Sequence, residues 1–197
     1  MANPNTSTKA NRINVKDLVY CTLTSDVAGT TPVYGTVKPF AKAMQIQITP
    51  AVASGTLYGD GVQQEKLSKL TGLTVAFDVN KIPIEVMAEI LGHTYSNGVL
   101  REKASDTPPY IAVGYKVEQT GGKQELVWLL KGSAQPPNAS VQQATESINF
   151  STDSITVDFI PREYDGELRW YGDTANADLT TSAVSSWFTT GPANVPS

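Results

Sequence analysis

The sequence holds one histidine, His93, and one cysteine, Cys21, so few side chains are available for nucleophilic or metal chemistry. His93 follows Gly92 at the end of a helical pattern, and no G-x-S-x-G motif supplies a serine nucleophile for a catalytic triad. One Cys and one His are too few for a structural zinc site. The sequence therefore predicts that the His93 ring covers the last carbonyls of a helix and has no catalytic role.

Cys21 lies in "DLVYCTLTSD", on the same face of a predicted strand as Val19 and Leu23. A buried small hydrophobic residue is favoured there over a reactive thiol. With one cysteine, no disulfide can form within the chain.

Two pairs of acids have the residue types used in glycoside hydrolysis, Asp153 with Asp158 and Asp165 with Glu167. No aromatic cluster flanks either pair to form a sugar groove. Phosphate-binding loops of the GxGxxG and GxxxxGK[ST] types are missing, and Asp60 alone does not make a calcium loop. We therefore expect no enzymatic activity, no cofactor and no metal.

The composition narrows the possible partners. The chain has 197 residues, of which 40% are hydrophobic and 17% charged, with a net charge of −4. Its Lys and Arg residues are scattered, so tight binding to nucleic-acid phosphates is not expected. No apolar run approaches the ~18 residues of a membrane span. The first residues, "MANPNTSTKANR", lack the apolar region of a signal peptide, which favours synthesis in a cytoplasm without secretion by that route.

Strict alternation of apolar and polar residues predicts two strands, "AMQIQITPA" and "LTVAFDV". We expect the faces that carry Met44 and Leu73 to lie in the core. The opposite faces carry Gln45, Gln47, Thr49, Thr74, Ala76 and Asp78. Between the two strands, residues 54–72 form a long polar insertion with the turn signal "YGDG". This insertion is predicted to project from the body as a long loop or hairpin.

The clearest helix signal is "KIPIEVMAEILGH", with a helix expected over residues 82–92. Pro83 suits the first turn, Glu85 complements the helix dipole, and Gly92 is the expected left-handed stop. The residues predicted to face the core are Val86, Met87, Ile90 and Leu91.

The remaining patterns favour a mainly β protein with seven or eight strands. "LVYCTLT" (18–24) and "DGELRW" read as strands, and "PYIAVGYKVE" and "QELVWLLK" as a hairpin joined by "QTGG". A change of phase between Phe150 and Ile155 predicts a bulge near Asp153. "NADLTTSAVSSWF" is a weak helix that Asn176 or Asp178 would cap. The expected organisation is an N-terminal arm (1–12), one β-sandwich domain (13–187) and a C-terminal tail (188–197), with both arms ordering only on assembly.

The order of these patterns resembles one known family. The series runs from "LYGDG" through "GLTVAFDVNKIPIEVMAEILGH" and a loop with "NG" to "PPYIAVGYKVE", "FIPRE" and "DGELRW". Over about Leu18 to Trp170 it resembles the major tail tube proteins of long-tailed, non-contractile (siphovirus-type) bacteriophages. The helix followed by "GH" and the "NG" loop carry most of the resemblance.

The resemblance implies a β-sandwich with one flanking helix, a projecting loop and extended terminal arms. It also implies a virion protein, assembled in the cytoplasm of a bacterial host, whose hexameric rings stack into a tube. The implied partners are further copies of the chain and other tail proteins: the tape measure, the tail terminator and the tail tip. Double-stranded DNA would pass through the tube without tight binding, and neither a cofactor nor a membrane is involved.

Two sets of site residues follow from this hypothesis. Contact between rings is predicted for Leu57, Tyr58, Asp60, Gln63, Glu65, Lys66, Leu67 and Lys69. The lumen of the tube should be polar and not basic, because lysines would hold passing phosphates. Lumen-facing positions are therefore predicted at Gln45, Gln47, Thr49, Thr74 and Asp78.

Alternative interpretations remain open at this point. The polar strand face could be an outer solvent face, and residues 54–72 could be a surface loop with no partner. The whole chain could instead be a non-catalytic β-sandwich module that binds a carbohydrate or a receptor.

Overall fold

The computed structural model describes residues 10–138 and 151–195. Most of the predicted N-terminal arm (1–9), the Ile148–Phe150 side of the predicted phase break, and residues 196–197 lie outside the described residues. Within the described residues the elements are β1 (Arg12–Val27), β2 (Thr30–Tyr34), β3 (Lys38–Pro39), β4 (Ala43–Gly59), β5 (Val62–Val79), α1 (Ile84–Leu91), β6 (Thr94–Ser96), β7 (Val99–Arg101), β8 (Tyr110–Gln119), β9 (Gln124–Ala134), β10 (Asp153–Phe159), β11 (Arg169–Asp173) and α2 (Thr181–Ser186).

The fold is mainly β, as predicted, and the described residues contain one helix of more than two turns. One antiparallel sheet has the strand order β2-β1-β8-β9-β10-β5-β4, with β3 also paired to β1 and β11 also paired to β9. Strands β6 and β7 form a separate small hairpin across the Asn97-Gly98 turn. The β8–β9 hairpin predicted around "QTGG" is confirmed.

The sheet bends so that its two ends face each other across a main core. Inward side chains of β5 and β10, such as Phe77 and Val157, share this core with Tyr20 of β1 and Val113 of β8. Phe40, in the segment after β3, lies against the rings of both Tyr20 and Phe77, with centroid distances of 5.6 and 6.2 Å. Three strands separate β1 from β5 in the sheet order, so these rings can meet only if the sheet folds over on itself. The result is a sandwich-like arrangement of two sheet halves, held mainly by burial of apolar surface.

Helix α1 closes one side of the main core. Ile90 and Leu91 are buried in it, and Val86 and Met87 are half-buried against it, so the structure places all four predicted core-face residues at the core. The predicted stop is confirmed, because Gly92 adopts a left-handed conformation with φ of 73°.

A second core covers the opposite face of β1, β8, β9 and β11. It comprises Cys21, Ala112, Leu126, Trp128, Leu130, Trp170 and Trp187. The chain after β11 forms its outer layer. Helix α2 is capped by Thr180, whose hydroxyl accepts from the Ala183 N–H, so the predicted caps at Asn176 and Asp178 were wrong.

Neither terminal arm is free where the structure describes it. At the C-terminal end, Phe188 packs on the Trp128 ring and the Pro192 carbonyl accepts a hydrogen bond from buried Arg162. The prediction that residues 188–197 order only on assembly is therefore wrong as far as Pro192. At the N-terminal end, Asn11 and Thr120 exchange hydrogen bonds, and β1 begins at Arg12.

Of the two forms predicted for residues 54–72, a long loop or a hairpin, the structure shows the hairpin. Strands β4 and β5 continue through this interval and pair with each other as far as the Gly59–Val62 pair. The sequence could not decide between the two forms, because no core within the described residues covers either face and no one-sided apolar pattern marks the strands.

One core prediction on β4 was wrong as well. Met44 is 61% exposed, because it is the extra residue of a bulge between the pairs Ala43–Val79 and Gln45–Asp78. Beyond the bulge the predicted alternation holds, and Ile46 and Ile48 pack against the main core.

Candidate functional site

The most unusual feature of the molecule is a two-stranded ribbon, defined here as residues 52–59 of β4 and 62–70 of β5. Eight cross-strand pairs run from Val52–Leu70 to Gly59–Val62. Asp60 and Gly61 close it with positive φ angles of 50° and 76°, which is the backbone of a type I′ hairpin turn. At the usual rise of a strand the ribbon extends roughly 25 Å from the body.

The ribbon is exposed on both of its faces. Every residue from position 49 to 71 is exposed except Gly59, which is half-buried. Apolar side chains occupy both faces all the same, with Leu67 67% exposed and Tyr58 65% exposed. From the pairing register, one face carries Leu57, Val62 and Leu67, and the other carries Val52, Tyr58 and Leu70.

All of the predicted ring-contact residues lie on this ribbon or in its turn. They are Leu57, Tyr58, Asp60, Gln63, Glu65, Lys66, Leu67 and Lys69. Within the described residues the charged ones form no ion pair. A mixed apolar and charged surface of this kind, which residues 10–138 and 151–195 leave uncovered, is typical of a protein–protein contact.

The predicted lumen residues lie together on the outward face of the sheet at the base of the ribbon. Three rows run across β4, β5 and β10 and consist of Gln45–Asp78–Ser154, Gln47–Ala76–Thr156 and Thr49–Thr74–Asp158. This polar face contains two carboxylates and no Lys or Arg in its nine positions.

The polar face is held in place by its own hydrogen bonds. Asp158 accepts from the Thr74 hydroxyl at 2.6 Å and from the Gln135 amide at 2.6 Å. These bonds fix Asp158 as a structural acid on the surface of the sheet. The face is therefore a preformed, weakly acidic surface.

Two strand edges next to these surfaces are open. In the described part of the chain β4 pairs only with β5, so its other edge presents free backbone N–H and C=O groups. Among the described residues, the part of β1 from Arg12 to Lys16 pairs with β8 alone. Open edges of this length are available to pair with another chain.

Between these two edges the sandwich is incompletely closed. Val15 of β1 and Ile46 and Ile48 of β4 are half-buried and line a cavity of about 470 Å³. Arg12 lies at its rim and forms two hydrogen bonds to Glu125, at 2.8 and 2.7 Å.

His93 is placed differently from the prediction. Its ring does not cover helix carbonyls, because Nδ1 lies 2.8 Å from Asp106 Oδ2, which also accepts from the Lys103 N–H at 3.0 Å. These bonds hold the pKa of Asp106 below its ordinary value. The pair ties the end of α1 to the loop that precedes β8.

The acids considered for glycosidase chemistry have other partners. Asp153 accepts from the Ile82 N–H at 2.8 Å, and Asp165 and Glu167 both lie against the guanidinium of Arg162. Cys21 is fully buried, and burial raises the pKa of its thiol to about 12. That thiol is therefore protonated and unreactive at neutral pH.

Two buried cations were missed by the sequence analysis. Arg162 is fully buried and donates to Tyr34 Oη and to the carbonyl of Pro192. Lys131 is buried beside Asp26. Its position at the end of the apolar run "LVWLLK" is the one signal that could have indicated a buried charge.

Among residues 10–138 and 151–195, no group of three or more His, Cys, Asp or Glu side chains is arranged to hold a metal ion. Within the same residues, no helix has the length and apolar character needed to cross a membrane. The chain matches no family model, and a comparison with curated proteins finds no match.

Proposed function

We propose that this chain is a structural subunit that assembles with copies of itself into stacked hexameric rings, forming the tail tube of a long-tailed phage. The observation that carries the proposal is the ribbon, whose apolar side chains are left exposed by the described part of the chain. The six-fold ring, the tail location and the further tail proteins as partners rest on the sequence resemblance.

Energetics support the ribbon as a contact element. An isolated two-stranded hairpin is at best marginally stable in water, so a ribbon of eight pairs gains little from pairing alone. Leu57, Leu67 and Tyr58 could each bury substantial apolar area against a neighbouring copy. In a ring the same contact is repeated by symmetry, so each copy needs to contribute only a weak interaction.

The open edges support lateral joining of copies within a ring. A neighbour's strand placed along the free edge of β4 would satisfy its backbone groups and extend the sheet from one copy to the next. Closing such a sheet into a barrel would turn one of its faces inward. The polar face of β4, β5 and β10 suits the lumen, since passing DNA would meet carboxylates and amides there and no cation.

The first experiment asks whether the purified chain forms tubes. We expect negative-stain images of concentrated protein to show rings or tubes of uniform diameter. A protein that stays monomeric at high concentration and binds glycans would instead favour the binding-module alternative. In a reconstruction of such tubes, Gln47 and Asp78 on the outer wall would refute the lumen assignment.

A second experiment tests the ribbon itself. Replacing residues 53–69 by Asn-Gly joins the paired residues Val52 and Leu70 through a type I′ turn and leaves the main core intact. We expect this variant to fold and to form no tubes. If it assembles normally, stacking does not depend on the ribbon.

Point substitutions provide a matched control. The double variant Leu57→Glu with Leu67→Glu should abolish tubes without unfolding the chain. The control is Val27→Glu with Val33→Glu, at exposed apolar residues of the β1–β2 hairpin. Loss of tubes in the control alone would assign the stacking contact to that hairpin.

A further inference from the structure

A buried lysine and a buried aspartate meet at one end of the sandwich. Lys131 ends the apolar part of β9, and Asp26 lies near the end of β1. Their side chains are 5% and 4% exposed, and Lys131 Nζ lies 2.8 Å from Asp26 Oδ2. A second carboxylate, that of Glu163 in the loop after β10, lies 3.2 Å from the same Nζ.

The Asp26 carboxylate also accepts hydrogen bonds from two backbone N–H groups. The Glu163 N–H donates to Oδ2 at 2.8 Å, and the Tyr164 N–H donates to Oδ1 at 3.1 Å. The ring of Tyr110 covers Lys131 Nζ at 4.9 Å from its centroid. One largely water-excluded place therefore holds an amine, a carboxyl carbon, a second acid and two backbone N–H donors.

We propose that Lys131 and Asp26 become joined by an intramolecular amide (isopeptide) bond, with Glu163 transferring the protons. Starting from the ammonium–carboxylate pair, one C–N bond forms between Nζ and Cγ, and the Cγ–Oδ2 bond breaks. Two protons pass from Nζ to the departing oxygen by way of Glu163, and one water molecule leaves. Atoms and charge balance, and no oxidant, cofactor or activating group is required.

Each part of the site has a role in this step. Contact between Nζ and the carboxylate supplies the proximity that an amide-forming attack requires. The N–H of Tyr164, fixed on Oδ1, stabilises the negative charge that develops there in the tetrahedral intermediate. Glu163 is 64% exposed, which gives the departing water a path to solvent.

The resting pair is ionic, and this sets the pace of the reaction. Burial lowers the pKa of Lys131, but hydrogen bonds to Asp26 and Glu163 outweigh that effect and leave its pKa raised. The attacking amine must therefore first lose a proton. We expect the bond to accumulate slowly after folding and to persist once formed.

The chain contains its own control pair. Lys116 Nζ lies 2.9 Å from Asp17 Oδ2 and 5.6 Å from the ring centroid of Phe188, a similar set of contacts. This pair is solvent-exposed, with side chains 31% and 58% exposed. In the described part of the chain no backbone N–H donates to Asp17 and no second acid contacts Lys116. No amide bond is expected between them.

The test is mass spectrometry of the purified full chain after incubation. We expect an intact mass lower than that of the sequence by one water, and a branched peptide that joins the segments containing residues 26 and 131. Lys131→Arg keeps the positive charge and should restore the full mass. Glu163→Gln should slow the loss of water by at least ten-fold, while Lys116→Arg should leave it unchanged.

An incubated wild-type protein that keeps the full mass of its sequence would overturn the proposal and show that the three groups form an ion pair only. This test uses the wild-type protein alone, so it does not depend on whether any of the variants folds. Complete loss of water in Glu163→Gln at the wild-type rate would overturn the role given to Glu163. None of these outcomes depends on the formation of tubes.

Discussion

The same two strands, β4 and β5, have one half in the body and one half in the ribbon, and the two halves bury their apolar residues very differently. In the body, Leu73, Val75 and Phe77 are at most 1% exposed, and β10 pairs with β5 on its other side. In the ribbon, Leu57 and Leu67 are more than 60% exposed, and the strands pair only with each other within the described residues.

This difference separates two uses of hydrophobic residues. The body residues stabilise the monomer by leaving water. The ribbon residues contribute almost nothing to monomer stability, because folding does not remove them from water. A chain that keeps leucines in such a place bears a cost in solubility, and the proposed assembly is what would make use of them.

The largest expected effect comes from comparing one truncation in each half. Phe77→Ala removes a ring from the main core, and we expect it to lower the free energy of unfolding by about 3–5 kcal/mol. Leu67→Ala should change that free energy by no more than about 0.5 kcal/mol. Denaturant unfolding of both variants measures the difference. A loss of similar size in the two would mean that the ribbon is buried in the monomer.

Two glycines in the left-handed conformation, one in the body and one in the ribbon, allow the same comparison to be made with backbone substitutions. A Cβ added at Gly92, behind α1, would lie 2.4 Å from the Thr107 carbonyl oxygen, whereas one at Gly61, in the ribbon turn, meets nothing within 4 Å. Both Ala variants bear the left-handed cost of roughly 1–2 kcal/mol. We expect Gly92→Ala to lose a further 1–3 kcal/mol or so from overpacking. Equal melting temperatures for the two would contradict this.

A smaller effect on the free energy of unfolding is expected from a change in pH, because Glu89 of helix α1 titrates differently in the folded and unfolded chain. Burial raises the pKa of Glu89, but hydrogen bonds from Lys38 and Tyr20 outweigh it, so the pKa in the folded chain lies below the ordinary value. The resulting stabilisation is present above the unfolded pKa of about 4.3 and is lost as the pH falls through the folded value.

Glu89→Gln should therefore flatten the acid limb of a plot of unfolding free energy against pH. Lys38→Met, which removes one of the partners, should flatten it in part. A wild-type acid limb that neither substitution changes would show that other carboxylates control the acid sensitivity.

Residues that obey a local rule were predictable from the sequence. The alternation of Leu73 to Val79 and the stop at Gly92 both depend on neighbours a few positions away, and the structure agrees with both. Met44 fails the same rule, because its exposure depends on a bulge set by pairing with β5. A bulge of this kind leaves the alternation of the single strand unchanged and so cannot be read from it.

Features that join distant parts of the chain could not be predicted from the sequence, for a related reason. The sequence left the ribbon open between a loop and a hairpin, because its residues follow no one-sided apolar pattern. The buried Asp26–Lys131 pair joins positions that are distant in the chain. Arg162 reads as an ordinary surface arginine until the fold brings Tyr34 and Pro192 to it. Each of these depends on tertiary placement, which periodicity does not encode.

The second core has a practical consequence for anyone who follows this protein in solution. It contains all three tryptophans of the chain, Trp128, Trp170 and Trp187, and the indole N–H of Trp128 donates to the Trp187 carbonyl at 2.8 Å. The main core holds phenylalanine and tyrosine as its aromatic residues. Intrinsic tryptophan emission is therefore an optical signal from the second core only. It reports whether the segment after β11 is packed on that core, and it does not respond to changes in the ribbon.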